Sequence, residues 1–480
     1  MQGGFFLIEE YIEKDILRQI KLVEFFFDLN KLNIKELAIY MNVSSKTIKN
    51  DLEKISILLN DYLDFFEFEG TFCKIKFNSK KTRYFLIKRI YQESKFLKVC
   101  SRYISGDYSY LKIVENEFIS VSKAFQLKKR VENFLEKLQL HENNELSYRY
   151  FILSVWMRCD QLDTTVSKKK WQQSKTFVNS LLHRFSNRLN EQEYTFFLKS
   201  VYLSIERHTN DKFFFSKNIT NINFIAESNT FKEIEKLVNI HLKELSGNIQ
   251  EILYLTSLYS LMPLNVSNYS SIRITHEYQR TRTLQNFPSI TKLIELFETK
   301  FNMHLRGNIY FEKSFFFFIA SAFFGIQMFL VEKHYFLNKN QQVVLRKIKD
   351  ILNFWEQNYL DTKFMVSSIS LERFCVEIYP ILVNEIKKTF TIMIVAENEF
   401  SHIFYRELLS YYLNENYAIL DDTLYYSLDE IPNYYEQGII ICDRHLIKQK
   451  TKINKYQMYP ISVNYSKKDI EKIIKKMYFV

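Results

Sequence analysis

Residues 32–52, LNIKELAIYMNVSSKTIKNDL, decide how the first part of this chain folds. Leu37 and Ala38 fall on a short first helix, where the small Ala38 permits close helix–helix approach. Asn42-Val43 makes a tight turn, with Val43 plugging the space between the helices. Ser44 is suited to cap a second helix, its hydroxyl satisfying free backbone N–H groups. On that helix Ile48, Leu52 and Ile55 recur at helical spacing and share the inward face. Ser45, Lys46, Lys49 and Asn50 then face outward. The pattern predicts a helix whose exposed N-terminal half can enter a DNA major groove, with Ser44, Ser45, Lys46, Lys49 and Asn50 as contacts to phosphates and base edges. The plainer alternative is an amphipathic helix pair with a solvated charged face.

What flanks this stretch favours the first reading. Upstream, residues 9–29 read as a helix with Ile12, Ile16, Ile20, Val23 and Phe27 on one side. Downstream, FFEFEGTFCKIKF (Phe65 to Phe77) alternates and is interrupted by Gly70, the signature of a β-hairpin. Lys74 and Lys76 lie on it, and Lys80, Lys81 and Arg83 follow, so the expectation is a cationic wing along the phosphate backbone. From Lys74 to Arg102 ten Lys or Arg face a single acidic residue, Glu93. Binding through such a surface releases counterions and weakens steeply with salt. A second pair of helices is expected at 110–117 and 118–140, the latter FISVSKAFQLKKRVENFLEKLQL. Val121, Ala124, Leu127, Val131, Leu135 and Leu138 form its expected inward stripe. Ser122, Lys123, Gln126, Lys129 and Arg130 project outward or near the rim as a second DNA-contacting set; the alternative is a basic surface helix packed on the first domain.

The chain has 480 residues, too many for one core, and several domains are expected. It has only eight glycines and five prolines, against 44 Phe and 32 Tyr, which favours helices over sheet-rich architecture. A net charge of +11 raises the expectation of an anionic partner without separating nucleic acid from membrane. The five cysteines (Cys73, Cys100, Cys159, Cys375, Cys442) are too dispersed for a zinc site and read as buried, reduced thiols, so neither metal nor cofactor is expected. The N-terminus lacks the pattern of a secretory signal, and a cytoplasmic location is expected. Ser314 to Val331 is eighteen residues without a charge, at the lower edge of the ~17–25 that span a membrane. Gln327 interrupts it, and a buried core helix is the preferred reading.

Residues 145–285 and 288–386 read as two helical blocks, divided at NFPSI because Pro288 disfavours helix at Phe287. From Thr389 the character changes: TFTIMIVAE, a helix-like Ser401 to Asn414, YAIL (417–420) and GIIICD (438–443) predict a small α/β domain with parallel strands. Dinucleotide, phosphate-loop, zincin and nucleophile-elbow motifs are missing, and Asp421-Asp422 has nothing to assign acid and base roles, so no enzyme is expected. The competing non-enzymatic reading is a helical scaffold or signalling protein using its basic face on membranes or acidic partners.

The layout resembles the Mga family of global and virulence regulators of Gram-positive cocci and bacilli. LNIKELAIYMNVSSKTIKNDL followed by SVSKAFQLKKRVENFLEKL carries the resemblance, and domain order and length extend it. It implies a mainly α, multidomain chain: a first winged helix-turn-helix domain at 1–80, a second helix-turn-helix domain at 81–142, two helical phosphotransferase-regulatory (PRD-like) domains at 143–286 and 287–387, and an EIIB-like α/β domain at 388–480. It implies double-stranded DNA as partner, self-association as a homodimer or larger oligomer through the C-terminal domains, and a phosphotransferase carrier protein that phosphorylates histidine. Such control needs an exposed imidazole. His208 (next to Arg207) and His276 (three residues after Arg273) are the candidates in the first block; His334, with His304 behind it, in the second. The C-terminal stretch TIMIVAENEFSH departs from an active EIIB domain: it has no Cys where that domain carries phosphate, and Glu397 and Glu399 would repel it. The resemblance there implies the fold without the chemistry.

Overall fold

The computed structural model describes the chain apart from residues 1–7, 79, 139–144, 160–166, 209–224, 261, 263–264, 267–268, 324–326, 328–330, 361–363, 365, 385–389, 413–417, 434–437, 448–455 and 479–480. The expected domain limits at 142/143 and 387/388 lie outside the described residues. The chain is mainly helical and divides into two compact units, residues 1–378 and 379–480.

The first unit opens with α1 (Lys14–Asp28), β1 (Lys31–Asn33), α2 (Ile34–Tyr40), α3 (Ser45–Leu58) and the hairpin β2 (Leu63–Glu69)/β3 (Phe72–Phe77). The strands form an antiparallel sheet in the order β1-β3-β2, which is a winged-helix arrangement. Glu69 pairs with Phe72, leaving Gly70 and Thr71 as the turn. Gly70 has φ +60°, a conformation that L side chains adopt only with strain. On α1 Ile16, Ile20 and Val23 are buried as their spacing requires. Leu22, Phe25 and Phe26 are buried too, because α1 is covered by α3, β3 and the next helix rather than from one side.

Four helices follow: α4 (Arg83–Tyr91), α5 (Lys95–Ile104), α6 (Tyr110–Glu117) and α7 (Val121–Lys137). Then comes the first helical block, α8 (Glu145–Trp156), α9 (Lys168–Arg184), α10 (Glu191–Arg207), α11 (Asn229–His241) and α12 (Ile249–Ser260). One continuous apolar core runs through residues 8–138 and this block. Inside it Arg149 is fully buried, its guanidinium forked onto Glu251 (2.5 and 2.7 Å) and bonded to Glu145 (3.0 Å). Two short strands that the sequence does not signal, β4 (Asn187–Arg188) and β5 (Asn265–Val266), pair antiparallel within the helical region.

The second block comprises α13 (Tyr269–Asn286), α14 (Pro288–Phe301), α15 (Ile309–Phe323), α16 (Lys339–Tyr359) and α17 (Ser368–Asn384). The break falls at Phe287 with Pro288 in the first turn of α14, where its missing N–H costs nothing. α13 packs on α14 and α15, held by Arg280 bonded to the buried Glu312. The apolar run 314–331 supplies α15, which ends at Phe323 and buries Phe315, Phe316, Phe318 and Ile319. Among the described residues no helix is long and apolar enough to cross a membrane. After α15 the chain returns to the N-terminal region as an extended strap, Val331 to Leu337. Its Val331 carbonyl accepts from Gln192 (2.9 Å), its His334 N–H donates to Glu24 (2.6 Å), and Tyr40 donates to the Tyr335 carbonyl (3.2 Å). The Phe336 ring sits 4.7 Å from Tyr40 and 5.4 Å from Phe25.

The second unit holds a four-stranded parallel sheet: β6 (Phe390–Val395), β7 (Ala418–Leu420), β8 (Gly438–Asp443) and β9 (Gln457–Ile461), in the order β7-β6-β8-β9. Its helices are α18 (Glu399–Tyr412) and α19 (Ser466–Tyr478). Side chains alternate between faces: Ile392, Ile394, Ile439 and Ile441 meet Tyr405, Leu409, Ile470 and Ile473, while Met393, Val395, Ile440 and Cys442 meet Tyr425, Leu428 and Tyr456. Both faces are covered, which is why these strands read as unbroken apolar runs. A Cβ on Gly438 would meet the Met393 methyl at 2.7 Å and the Tyr456 ring at 3.0 Å, so a larger residue there requires the Met393 side chain to move.

Candidate nucleic-acid interface

The first helix-turn-helix is built from local devices. Asn33 caps α2, accepting from Lys35 N–H (2.9 Å). Asn42 takes φ +53°, the left-handed region that Asn tolerates better than most side chains. Val43 N–H closes on the Ala38 carbonyl (2.9 Å), and Ser44 Oγ accepts from Thr47 N–H (3.1 Å) to start α3. Ile48, Leu52 and Ile55 are fully buried, as their spacing predicts. Asp51 is buried beside them in an ion pair with Arg18 that sets α3 against α1. The opposite face carries exposed Ser44, Lys46, Lys49 and Asn50, with Ser45 half-buried. Among the described residues neither Lys46 nor Lys49 has a carboxylate partner. Exposed Lys35 and Ile39 on α2 border the same face and were not signalled by the sequence pattern.

The hairpin corrects the expectation of a cationic wing. It carries Asp64, Glu67 and Glu69 against Lys74 and Lys76. Lys31 and Lys74 both bond Glu69 (2.8 and 2.7 Å), and those bonds hold its carboxyl down at about 2. Lys76 lies 3.7 Å from Asp64. Cross-strand pairing places opposite charges side by side, so the wing is close to self-neutralised. Lys80 and Lys81 remain exposed after it. Arg83 turns inward, ion-paired with the buried Glu24 and bonded to Gln192 (2.9 Å). Burial pushes Glu24 up to about 7 despite Arg83 and the His334 N–H.

The second helix-turn-helix repeats the first in register. Phe118 takes φ +49° where Asn42 takes +53°, Ile119 stands where Val43 does, and Ser120 caps α7 from Lys123 N–H (3.4 Å) as Ser44 caps α3. Ala124, Leu127, Val131 and Phe134 are buried. Val121, expected inward, is 50% exposed, and Leu135 and Leu138 are only half-buried, because Phe134 rather than Leu135 continues the stripe. Ser122, Lys123, Gln126 and Lys129 are exposed as expected. Arg130 is half-buried at the rim, where it lies over the Phe96 ring (5.9 Å) and reaches the Ile12 carbonyl (3.5 Å). Among the described residues this unit adds no strand, so the winged form belongs to the first unit.

The histidines separate by burial. His208 is half-buried at the end of α10, its Nδ1 2.9 Å from the Ile205 carbonyl. The neighbouring Arg207 is not free for a phosphate: it is forked onto Glu145 (2.6 and 2.7 Å) and stacked on Tyr148. The expectation of an exposed imidazole fails at His276, which is 4% exposed with Nε2 2.9 Å from Glu312 where α13 packs on α15. It fails also at His334, enclosed by the strap's return; burial, aided by Lys21, Arg83 and Arg158, pushes its imidazole down to about 3. The exposed histidine of the second block is His304, 3.1 Å from Glu298.

In the second unit the loop after β6 is internally occupied. Glu397 N–H donates to the buried Asp443 carboxylate (2.9 Å), which also accepts from Tyr405. Glu397 and Glu399 are exposed beside it, and the Cys442 thiol is buried and pushed up to about 12.

Comparison with protein families matches residues 13–65 to the helix-turn-helix domain of the M protein trans-acting positive regulator (MGA). Comparison with curated proteins finds no match. The matched segment runs from the start of α1 into β2 and contains the whole α2–turn–α3 surface described above. The winged N-terminal region is therefore an Mga-family helix-turn-helix domain, and the chain is a DNA-binding transcriptional regulator.

Proposed function

We propose that the protein is a cytoplasmic, non-catalytic, Mga-like global regulator that docks α3 in the major groove of double-stranded DNA, with Lys46, Lys49 and Asn50 as its principal contacts. The observation that carries this reading is the exposed polar and cationic N-terminal face of α3, on which neither lysine has a carboxylate partner among the described residues, turned outward by the ion pair of buried Asp51 with Arg18. Ser44 and Ser45 support phosphates at the helix start, and α7 offers Ser122, Lys123, Gln126 and Lys129 to the same ligand. Lys74, Lys76 and Arg130 contribute less, because each already has a partner within the protein.

The helical blocks act as PRD-like domains, and phosphoryl transfer from a phosphotransferase carrier modulates binding. By accessibility His208 is the leading acceptor of the first block and His304 of the second; His276 and His334 become acceptors only if the α13–α15 contact or the strap opens, so modification there would report a change in domain packing. The C-terminal unit serves self-association as an EIIB-like module without phosphoryl chemistry, since Asp443 already takes a loop amide.

The test is a gel shift at moderate salt with full-length protein and duplexes selected from a randomised library. Lys46→Glu/Lys49→Glu should weaken binding roughly 100-fold while the circular dichroism spectrum stays native, and should flatten the log K against log salt slope by ~2, one unit per lost phosphate contact. Unchanged binding by the folded double variant removes α3 as the reader.

A further inference from the structure

We propose that the second helix-turn-helix reads thymine methyl groups, so that the two units divide recognition between polar base edges and apolar ones; this rests on the regulator reading above. Aligned on their caps, Ser44 and Ser120, the units place Phe118 where the first has Asn42, Val121 where it has Ser45, and Phe125 where it has Lys49. All three face solvent: Phe118 is 92% exposed, Val121 and Phe125 50% each. Phe125 is held in place by stacking on Tyr110 (4.4 Å between centroids), so it presents a fixed edge rather than a mobile one. Single exposed apolar residues need no explanation, but three of them framing the N-terminal half of one helix mark an interaction surface.

The polar residues among them identify the occupant. Lys123 and Lys129 are exposed on the same helix, and among the described residues neither has a carboxylate partner; Ser122 and Gln126 add hydrogen-bonding groups. An apolar patch set among unpaired cations suits a polyanion that also offers apolar atoms. In the major groove of DNA those atoms are the C5 methyls of thymine, which distinguish A·T from T·A pairs. A second copy of the chain would bring the same uncompensated cations and is disfavoured by charge. The α7 surface therefore selects thymines at a defined offset from the α3 half-site, with Lys123 and Lys129 on the flanking phosphates.

Deoxyuridine tests this, because it removes the methyl and leaves pairing and charge intact. With full-length protein and library-selected duplexes, single thymine-to-deoxyuridine replacements within the α7 footprint should weaken binding roughly fourfold each, the loss expected for one buried methyl. Phe125→Ala should abolish that sensitivity at one position while leaving the salt slope unchanged. Phe118→Asn, which restores a residue suited to the left-handed bend and so preserves the fold, should abolish it at another. Binding that is indifferent to complete deoxyuridine substitution overturns the inference and leaves the regulator reading intact. So does undiminished methyl sensitivity in both variants, or a change in sedimentation without a change in methyl sensitivity, which would assign the patch to contacts between copies. Failure of the wild-type protein to bind any duplex would instead overturn the regulator reading, and this inference with it.

Discussion

Asn42 and Phe118 occupy the same bend, two residues before the serine caps of α3 and α7, yet the surfaces that follow differ in kind. The first unit buries the bulky Ile48 four residues after its cap and anchors Asp51 to Arg18; the second has Ala124 and Leu127 at those positions. Outside, Ser45 and Lys49 correspond to Val121 and Phe125. Backbone geometry is shared because cap and bend are local devices that few residue types satisfy. Surface chemistry is free to diverge, because exposed positions on α3 and α7 contribute little to folding.

The comparison is most easily broken in the interior. Ile48→Ala should cost ~2–4 kcal/mol in a urea titration, since a fully buried branched side chain is lost, whereas Ala124→Ile should cost ~1–3 kcal/mol by overpacking a site shaped for alanine. Accommodation of isoleucine at position 124 at no cost would mean that the second helix pair is no closer than the first. Because one core is continuous through both helix pairs, the two substitutions should shift the same unfolding transition.

A pH effect follows from the tie between the first helix-turn-helix region and the strap. Glu24 ionises near 4.5 in the unfolded chain and near 7 in the fold, so its protonated form favours the folded state. Its contribution is fully present below about pH 4.5, declines as pH rises through that window, and is gone above about pH 7. Glu24→Gln cannot ionise, so the Tm of the variant relative to wild type should rise between about pH 5 and about pH 8, reflecting on the order of 2 kcal/mol. A pH-independent difference would show that Arg83 and the His334 N–H fully compensate the buried carboxylate.

The smallest effect sharpens the comparison of the caps. Ser44→Ala should destabilise by ~1 kcal/mol, and Ser120→Ala by less, because the Ser120 bond is longer (3.4 against 3.1 Å). Chemical denaturation of the paired variants measures the difference, and the reverse order would contradict the geometry.

Legibility along the chain follows the same division. The α2–α3 pair, the hairpin, the break at Pro288 and the strand runs at 390–395 and 438–443 were readable. β9 and α19 were not: Gln457–Ile461 mixes polar residues with Pro460, which an edge strand accommodates and a strand pattern conceals. The exposed apolar residues around the start of α7 were hidden for another reason: Val121 falls at the helical spacing that marks a core stripe, and only alignment on the serine caps sets it beside Phe118 and Phe125.

Locally encoded features were determined by sequence alone: the bend at Asn42-Val43, the cap at Ser44, the turn at Gly70 and the inward stripe of α3. Each depends on residues within one or two turns of one another. Tertiary structure decided which charges were available and which histidines were reachable. Glu24 and His334 meet across 310 positions, Arg83 turns inward to meet Glu24, and His276 closes on Glu312. No spacing rule reports such pairings, because a charged side chain is oriented by the opposite charge that packing brings within a few ångströms, wherever in the chain that charge is encoded.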